Sequence, residues 1–380
     1  MGLSRRSILK GGLFASAALP LMGVSKVVGQ WRENELQQEL AVVGNPDNPL
    51  VKLNSNENPY GPSDKARQAI IEAIDSGNRY PRPAITKLTK QIAEYEGLSP
   101  DQIIITAGST ELLGVFGLMA GMQKGKVIGC DPTFDFMLYF AEKYSSHWVK
   151  VPLTEDHQYN LEGIRSEMDD DTKLVFICNP NNPTGGELSK DDLALFCAEA
   201  SKSCMVYVDE AYIEFSKDGL KSSLANMTRN NRNLVVGRTF SKIYGLAGLR
   251  VGYAIGHPDT IKEVRRHLQG RSVTASATSI AAASASLGDE EFLGHCRKMN
   301  DQAKDIVYTS FDELEIDYIP SSTNFILFRT EKFGATDIRK ELQRQNILIR
   351  DYQHVPGWAR VSMGTSDEMK AFLKATKKMT

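Results

Sequence analysis

Residues 174–185 read LVFICNPNNPTG, and this stretch decides the fold class because a wholly apolar run ends abruptly in a turn. The run at 174–178 holds β-branched and aromatic side chains without polar alternation, which is typical of a strand buried on both faces. The two prolines and the glycine that follow restrict the backbone of the turn, so the turn can aim Asn182 in one direction. An ordinary turn without a binding role is the alternative.

Runs of the same kind recur along the chain, and helical patterns separate most of them. The other predicted strands of this region cover residues 103–106, 126–130, 148–153, 205–209 and 234–238. The predicted helices between them cover residues 109–122, 133–144 and 189–202. This alternation predicts an α/β fold, with a mostly parallel sheet that helices cover on both faces. In such sheets, ligands bind at the carboxyl ends of the strands.

The pattern changes after residue 270 and predicts a smaller α+β domain. A long helical pattern and three predicted strands follow one another at residues 279–313, 324–328, 347–350 and 359–363. We therefore expect an N-terminal arm that joins the small domain, a large domain and a small C-terminal domain, at residues 31–60, 61–270 and 271–380 respectively.

The first 30 residues have the layout of a targeting segment. Residues 4–10 read SRRSILK, and the weakly apolar stretch that follows at residues 11–24 is shorter than the ~20 residues that span a bilayer. The paired arginines resemble the twin-arginine signal pattern S-R-R-x-F-L-K, with Ile8 where phenylalanine is usual. We therefore expect residues 1–30 to direct export through the twin-arginine translocase, to the periplasm or otherwise out of the cytosol. A basic N-terminus on a cytosolic protein is the alternative.

The charge and cysteine content argue against several kinds of protein. The 380-residue chain carries 45 basic and 47 acidic side chains, a formal net charge of -2. No block of basic residues gives the charge excess that nucleic-acid phosphates require, so we expect no nucleic-acid partner. The five cysteines show no C-x-x-C spacing, so we expect neither a metal site nor a redox dithiol.

Lys242 is the first candidate for covalent chemistry. It ends the run RTFSK at residues 238–242, directly after a predicted strand, and Arg250 follows a few residues later. A lysine that is held near an aldehyde and partly desolvated can form a Schiff base with it. Ser241 and Arg250 could then hold an anionic group of the same molecule. A solvent-exposed Ser-Lys pair in a loop is the alternative.

Asp209 is the second candidate, because it ends the predicted strand VYVD at residues 206–209. A carboxylate at the end of an apolar strand needs a partner, since its desolvation is otherwise costly. A protonated pyridine nitrogen is a suitable partner, and its protonation makes the ring an electron sink. The alternative is that Asp209 caps a helix.

A turn at residues 107–111, AGSTE, joins a predicted strand to a predicted helix. The exposed N–H groups and the dipole at the start of that helix favour an anion, so Ser109 and Thr110 are candidates for a phosphate cradle. Any strand-to-helix turn could show this pattern by itself.

Together, these four segments resemble, in order and spacing, the fold-type-I pyridoxal-phosphate enzymes, and in particular the histidinol-phosphate aminotransferase family. Three further motifs match that family, namely NSNENPYGPS at residues 54–63, RYP at residues 79–81 and RVSMGT at residues 360–365. The resemblance implies a large domain with a mostly parallel seven-stranded sheet, a smaller C-terminal α+β domain, and pyridoxal 5′-phosphate as the cofactor.

The resemblance also implies a role for each residue of the cofactor site. Lys242 would bind the cofactor as a Schiff base and then move the proton of the substrate Cα. Asp209 would pair with the pyridine nitrogen, and Phe134 would stack on the ring. Tyr212 and Asn182 would form hydrogen bonds to the phenolic oxygen of the ring. The residues expected to bind the cofactor phosphate are Ser109, Thr110, Ser241 and Arg250.

The family resemblance further implies a partner subunit and a substrate site. Tyr80 would reach the cofactor phosphate of the neighbouring subunit, so a homodimer with shared sites is expected. Arg360, helped by Arg350 and Tyr60, would bind the anionic end of the substrate. For Arg350, a structural ion pair with Asp351 is the alternative.

The expected function is that of a pyridoxal-phosphate-dependent aminotransferase, which moves an amino group between an amino acid or anionic amine and a 2-oxo acid. A decarboxylase or lyase on the same scaffold is the alternative, because Lys242 and Asp209 would serve either reaction. A non-catalytic binding protein is the alternative from another class, and it would be expected to have lost one of these two residues.

Overall fold

The computed structural model describes residues 50–268, 275–330, 333–352 and 355–378. The predicted leader at residues 1–30 and most of the predicted arm lie outside these residues. The strands are β1 (Val51–Lys52), β2 (Ile103–Thr106), β3 (Gly125–Asp131), β4 (Ser146–Pro152), β5 (Thr172–Cys178), β6 (Met205–Asp209), β7 (Leu234–Thr239), β8 (Gly252–Gly256), β9 (Asp317–Ile319), β10 (Phe325–Arg329), β11 (Ile347–Leu348), β12 (Arg350–Asp351) and β13 (Ala359–Ser362).

Helices account for half of the remaining described residues. They are α1 (Asp64–Ala73), α2 (Arg82–Glu96), α3 (Ser109–Gln123), α4 (Phe136–Glu142), α5 (Leu161–Glu167), α6 (Lys190–Ala200), α7 (Pro258–His267), α8 (Ala277–Ser286), α9 (Glu290–Glu313), α10 (Ala335–Arg344) and α11 (Ser366–Thr376). None of the helices in the described ranges is both long enough and apolar enough to cross a membrane.

The larger sheet has seven strands in the order β2-β8-β7-β6-β5-β3-β4. Six strands run parallel to one another, and β8 runs antiparallel to its neighbours β2 and β7. The prediction of a mostly parallel sheet in an α/β fold is confirmed. Strand β8 was not among the predicted strands, because its short apolar run, GYAIG, begins and ends with glycine and resembles a turn.

The central strands β5, β6 and β7 are buried almost throughout. Their apolar side chains join one continuous core with helices such as α3 and α6. Burying each large aliphatic side chain stabilises the fold by roughly 1.5–3 kcal/mol, so this core fixes the backbone at the strand ends. In the register of the sheet, Cys178 pairs with Asp209, and Asp209 pairs with Gly237. The loops that leave these three strands therefore start side by side.

A second, four-stranded antiparallel sheet has the order β12-β13-β10-β9, and β1 pairs with β11 in a separate parallel ladder. The core that packs against the four-stranded sheet contains Phe311, Phe328 and Phe372, from α9, β10 and α11. The strand predicted at residues 347–350 is wrong as a single element, because β11 pairs with β1 whereas β12 pairs with β13.

The helix predicted at residues 279–313 is also wrong as a single element. It divides into α8 and α9 at Gly288, whose φ of 74° is left-handed and ends the first helix. The buried side chains of α8, among them Ile280 and Ala283, belong to the core of the seven-stranded sheet. The expected domain boundary after residue 270 stays a prediction.

Candidate active site

Three neighbouring strands deliver the candidate catalytic residues to one edge of the larger sheet. Asp209 is the last residue of β6, Asn182 lies in the turn after β5, and Lys242 lies in the loop after β7. Because these strands are parallel and adjacent, their carboxyl ends meet at the same place. Sequence reasoning therefore selected residues that the fold brings to one edge.

Lys242 is half-buried. Its Nζ lies 5.4 Å from the centre of the Tyr212 ring and donates a hydrogen bond of 3.4 Å to the carbonyl oxygen of Ser55. Burial, followed by the positive charge of Arg360, lowers the pKa of Lys242 to about 8. With this pKa, about a tenth of the amine is neutral at pH 7, far more than for an ordinary lysine, and the neutral amine is the form that attacks an aldehyde.

Asp209 is only 2% exposed, and the backbone N–H of Ala211 donates a 3.2 Å hydrogen bond to its Oδ1. Burial raises the pKa of Asp209 to about 7, and the hydrogen bond from Ala211 and the charge of Lys242 oppose that effect only in part. A carboxylate in this position is therefore short of compensating charge. A cationic ring nitrogen next to Asp209 would supply that charge.

An anion cradle forms where α3 begins. Arg250 donates hydrogen bonds to Ser241 Oγ at 3.3 Å and to Thr110 Oγ1 at 3.4 Å. A Cβ atom on Gly108 would collide with the Arg250 guanidinium, and one on Gly252 would collide with the backbone nitrogen of Ser109. Both glycines are thus needed for the close approach that puts the guanidinium beside the first amides of the helix. That combination of donors suits a phosphate group.

This donor set fits pyridoxal 5′-phosphate. An amine with a lowered pKa and a buried carboxyl group lie at the same edge of the sheet, and Arg250 of the phosphate cradle bonds to Ser241, the neighbour of that amine in sequence. These three features match the aldehyde, the pyridine nitrogen and the phosphate of the cofactor.

The residues expected at the phenolic oxygen of the cofactor are also buried. Asn182 is 8% exposed, and its Oδ1 accepts a 2.6 Å hydrogen bond from Arg360 Nη1 and a 3.4 Å bond from the hydroxyl of Tyr352. Because Oδ1 is occupied, Nδ2 is the group that remains to donate toward a ligand. Tyr212 is 3% exposed and its hydroxyl accepts a 2.9 Å bond from Asn56 Nδ2. Phe134 follows β3 and is 36% exposed.

Two arginines lie directly opposite each other on β12 and β13. Arg350 and Arg360 are register partners in the antiparallel ladder, so their side chains project from the same face. Both guanidinium groups contact the Tyr352 ring, at 5.7 Å and 5.6 Å respectively. Arg360 is 2% exposed and also donates to the carbonyl oxygen of Asn54 at 2.7 Å. The ladder therefore puts Arg350 opposite Arg360, whose guanidinium contacts Asn182.

The alternative in which Asp351 pairs with Arg350 does not match the contacts of Asp351. Its Oδ1 lies 2.9 Å from Arg339 Nε, and its Oδ2 accepts from Thr336 at 2.9 Å. Successive residues of a strand point to opposite faces of the sheet. The Asp351 side chain therefore projects toward α10, and the Arg350 side chain projects from the opposite face.

Within the described ranges, two predicted site residues form no hydrogen bond with this group. Tyr60 packs edge-on against His295, with ring centres 5.2 Å apart, and burial raises its pKa. Tyr80 precedes α2 and is 79% exposed, and within the described ranges it forms no hydrogen bond with the other site residues.

Sequence reasoning missed three contributors to the site, namely Asn56, Tyr352 and the backbone oxygen of Asn54. The motif at residues 54–63 was recognised, but nothing local indicated that Asn56 reaches Tyr212 or that Asn54 reaches Arg360. Tyr352 stands two residues after Arg350, a spacing that puts both side chains on one face of an extended segment, and this was the one available signal.

Comparisons with known proteins identify the family of the chain. The model of the family described as aminotransferase class I and II matches residues 48–375. A histidinol-phosphate aminotransferase of Moorella thermoacetica is 33% identical over 91% of this chain and 88% of its own length. Histidinol-phosphate aminotransferase 2 of Carboxydothermus hydrogenoformans is 35% identical over 90% of this chain and 93% of its own length.

A solved structure shows the same fold. The crystal structure of histidinol-phosphate aminotransferase from Sinorhizobium meliloti in complex with pyridoxal 5′-phosphate superposes with a TM-score of 0.80 at 23% identity, over 90% of this chain and 96% of the other. The family match and the two relatives span nearly all of the described residues. The chain therefore belongs to the class I and II aminotransferases, and it is a pyridoxal-phosphate-dependent transaminase similar to the histidinol-phosphate aminotransferases.

Proposed function

We propose that the chain transaminates an amine that carries an anionic group, with Lys242 as the cofactor lysine and Arg360 and Arg350 as the anion site. The observation that carries the proposal is the pairing of these two arginines across β12 and β13, next to Asn182. A planar guanidinium binds a carboxylate or phosphate through two parallel hydrogen bonds, so two such groups suit an amino acid carboxylate or a phosphate monoester.

Each residue of the candidate site has its own role in this proposal. When bound, the cofactor supplies an electron sink that stabilises negative charge at the substrate Cα. Asp209 keeps the ring nitrogen protonated, and the cradle around Ser109, Thr110 and Arg250 fixes the phosphate. Lys242 would be the base that takes up the proton of the substrate Cα.

A donor panel tests the substrate class. Purified holoenzyme is mixed with histidinol phosphate, histidinol and a set of amino acids, each with and without a 2-oxo acid, and 2-oxo acid turnover and carbon dioxide release are both measured. We expect anionic donors to react far better than histidinol, without carbon dioxide release. If histidinol and its phosphate react at equal rates and the amino acids react slowly, the proposed anion site is wrong. Carbon dioxide as the main product would mean a decarboxylase.

We also propose a homodimer in which Tyr80 completes the partner's site. Tyr80 is 79% exposed, and Ile71, Ile74 and Met122 are exposed apolar side chains of the large domain. The test mixes two inactive variants, Lys242→Ala and Tyr80→Ala. If Tyr80 acts across the interface, the mixed dimer regains one intact site and about half of the activity of a normal dimer; if it acts within its own chain, mixing restores nothing.

Export through the twin-arginine pathway remains our proposal for residues 1–30. Its support is the run SRRSILK at residues 4–10. This pathway carries folded proteins, so the cofactor could be bound before export. Replacing Arg5 and Arg6 together by lysine should leave active holoenzyme in the cytosolic fraction. Wild-type enzyme that stays in the cytosol with residues 1–30 intact would exclude export.

A further inference from the structure

Asn56 connects three parts of the molecule. It is 1% exposed and has a left-handed backbone with φ of 53°, a conformation that asparagine tolerates better than most residues. Its backbone N–H donates to Ser362 Oγ at 2.8 Å, and its backbone oxygen accepts from Asn324 Nδ2 at 3.1 Å. Its side chain accepts from Ser362 Oγ at 2.9 Å and donates to the Tyr212 hydroxyl at 2.9 Å.

The hydrogen bonds of Ser362 set the orientation of the Asn56 amide. A serine hydroxyl has one hydrogen to donate and can accept bonds at its oxygen. The Ser362 oxygen already accepts the N–H of Asn56, so its own hydrogen goes to Asn56 Oδ1. The amide NH₂ then faces Tyr212, and the Tyr212 oxygen is the acceptor in that bond.

This arrangement leaves the hydrogen of the Tyr212 hydroxyl available. Within the described residues, the hydroxyl is bonded to Asn56 alone, while Phe325 packs edge-on against the ring at 5.2 Å and Lys242 Nζ lies over the ring face. We propose that Asn56, held by Ser362, is a positioning residue that makes Tyr212 a hydrogen-bond donor to the phenolic oxygen of the cofactor. This inference rests on the proposed placement of Tyr212 at that oxygen.

The direction of that bond matters for the proton near Lys242. In the loaded enzyme, the phenolic oxygen and the Lys242 nitrogen would share one proton. A hydrogen bond donated by Tyr212 draws electron density from the phenolic oxygen, which then holds the shared proton less strongly. Without Asn56, the Tyr212 hydroxyl can rotate and this bond weakens, so the shared proton is lost only at higher pH.

The test measures the pH midpoint of the visible absorbance change of the bound cofactor. Asn56→Gly removes the amide and keeps the left-handed backbone without strain. We expect the midpoint to rise by roughly 0.5–1 pH unit, the size of one net hydrogen bond. Ser362→Ala removes the group that orients the amide and should raise the midpoint by a smaller amount.

Two controls separate positioning from loss of structure. Tyr212→Phe should raise the midpoint more than Asn56→Gly, and adding Asn56→Gly to Tyr212→Phe should give no further rise. Thr365→Ala removes the side-chain cap of α11, three residues beyond Ser362, and has no contact with Tyr212. It should lower the unfolding temperature without moving the midpoint.

The outcomes distinguish the inference from the proposed site. If Tyr212→Phe leaves the midpoint unchanged, the placement of Tyr212 and the inference are both wrong. If Tyr212→Phe raises the midpoint but Asn56→Gly does not, the inference alone is wrong. The inference alone is also wrong if Asn56→Gly shifts the midpoint by the same amount in the wild type and in the Tyr212→Phe variant. Should Asn56→Gly fail to fold, Ser362→Ala is judged by the same criteria.

Discussion

Arg360 Nη1 lies 2.6 Å from Asn182 Oδ1, and this hydrogen bond joins β13 of the four-stranded sheet to the turn after β5 of the seven-stranded sheet. The second amino group of Arg360 donates to the carbonyl oxygen of Asn54 at 2.7 Å, which adds the N-terminal segment to the same junction. The guanidinium is thus held by neutral acceptors on two sides. These two bonds fix the orientation of the planar group before a substrate binds.

Arg360→Lys should lower catalytic efficiency by roughly 2–4 kcal/mol, or about 30- to 1,000-fold. A lysine ammonium cannot bridge Asn182 and Asn54 and also offer two parallel donors to the substrate. The measurement is kcat/KM with the best amino donor, together with the absorbance of the bound cofactor, which should hardly change.

Arg339→Lys is the matched control for that substitution. Arg339 pairs with Asp351 beside α10, away from the candidate site, so its replacement should leave kcat/KM within about threefold. If Arg360→Lys reacts as well as the control variant, the anion site lies elsewhere and the proposed substrate class is wrong.

Asp209→Asn should stabilise the cofactor-free protein at alkaline pH. Burial raises the pKa of Asp209 from 3.8 to about 7, so the folded state binds this proton more tightly than the unfolded chain does. The stability that Asp209 contributes is therefore full below about pH 4 and is lost as the pH rises through about 7. Asparagine stays neutral, so its advantage should grow between pH 5 and pH 8, to at most about 4 kcal/mol.

The free energy of unfolding of both cofactor-free proteins, measured at pH 5 and pH 8, checks this expectation. The same variant should bind the cofactor more weakly, because it loses the charge that pairs with the ring nitrogen. A stability difference that does not change with pH would mean that Asp209 is solvated, and the argument for its cationic partner would fail.

Arg238→Met should destabilise the fold by about 3–5 kcal/mol near pH 8, because it leaves buried carboxylates without their counter-charge. Arg238 is 1% exposed, donates to Glu210 Oε2 at 2.8 Å, and lies 3.6 Å from Glu96 and 3.7 Å from Glu214. Burial raises the pKa of Glu210, and it raises that of Glu214 to about 7.

The pH dependence of the destabilisation by Arg238→Met follows from the raised pKa values of Glu210 and Glu214. Carboxyl groups with a raised pKa are most compatible with burial when protonated, so the stability deficit of Arg238→Met should shrink as the pH falls from 8 to 5. Arg232→Met is the control, since Arg232 and its partner Asp259 are both exposed and the pair should contribute less than about 1 kcal/mol. An equal loss in the two variants would refute a buried ion cluster.

Much of the site could be predicted because its residues end buried strands. Asp209 ends β6, and Lys242 follows β7 within a few residues, so the local sequence and the parallel sheet together fix where they lie. The same holds for Ser109 and Thr110 at the start of α3. For these residues, a short apolar run and the turn that follows it are enough to predict their position at the end of a strand or at the start of a helix.

The remaining contacts depend on chain segments that are distant in sequence. The bond from Asn56 to Tyr212 spans 156 positions, and the bonds from Asn56 to Ser362 span 306. No periodicity or turn pattern encodes such pairs, since they arise only when the two sheets pack. Strand β8 was missed for a related reason, because an antiparallel strand bounded by glycines is stabilised by its neighbours β2 and β7 rather than by its own propensity.

The most direct test of the central claim is the site at which the cofactor is covalently attached. Holoenzyme is reduced with borohydride, digested, and mapped by mass spectrometry, with Lys242→Ala treated in parallel. We expect the pyridoxyl label on the peptide that contains Lys242 in the wild type, and no stoichiometric label in Lys242→Ala. A stoichiometric label on any other lysine of the wild-type chain would contradict the assignment of Lys242 and the site built around it.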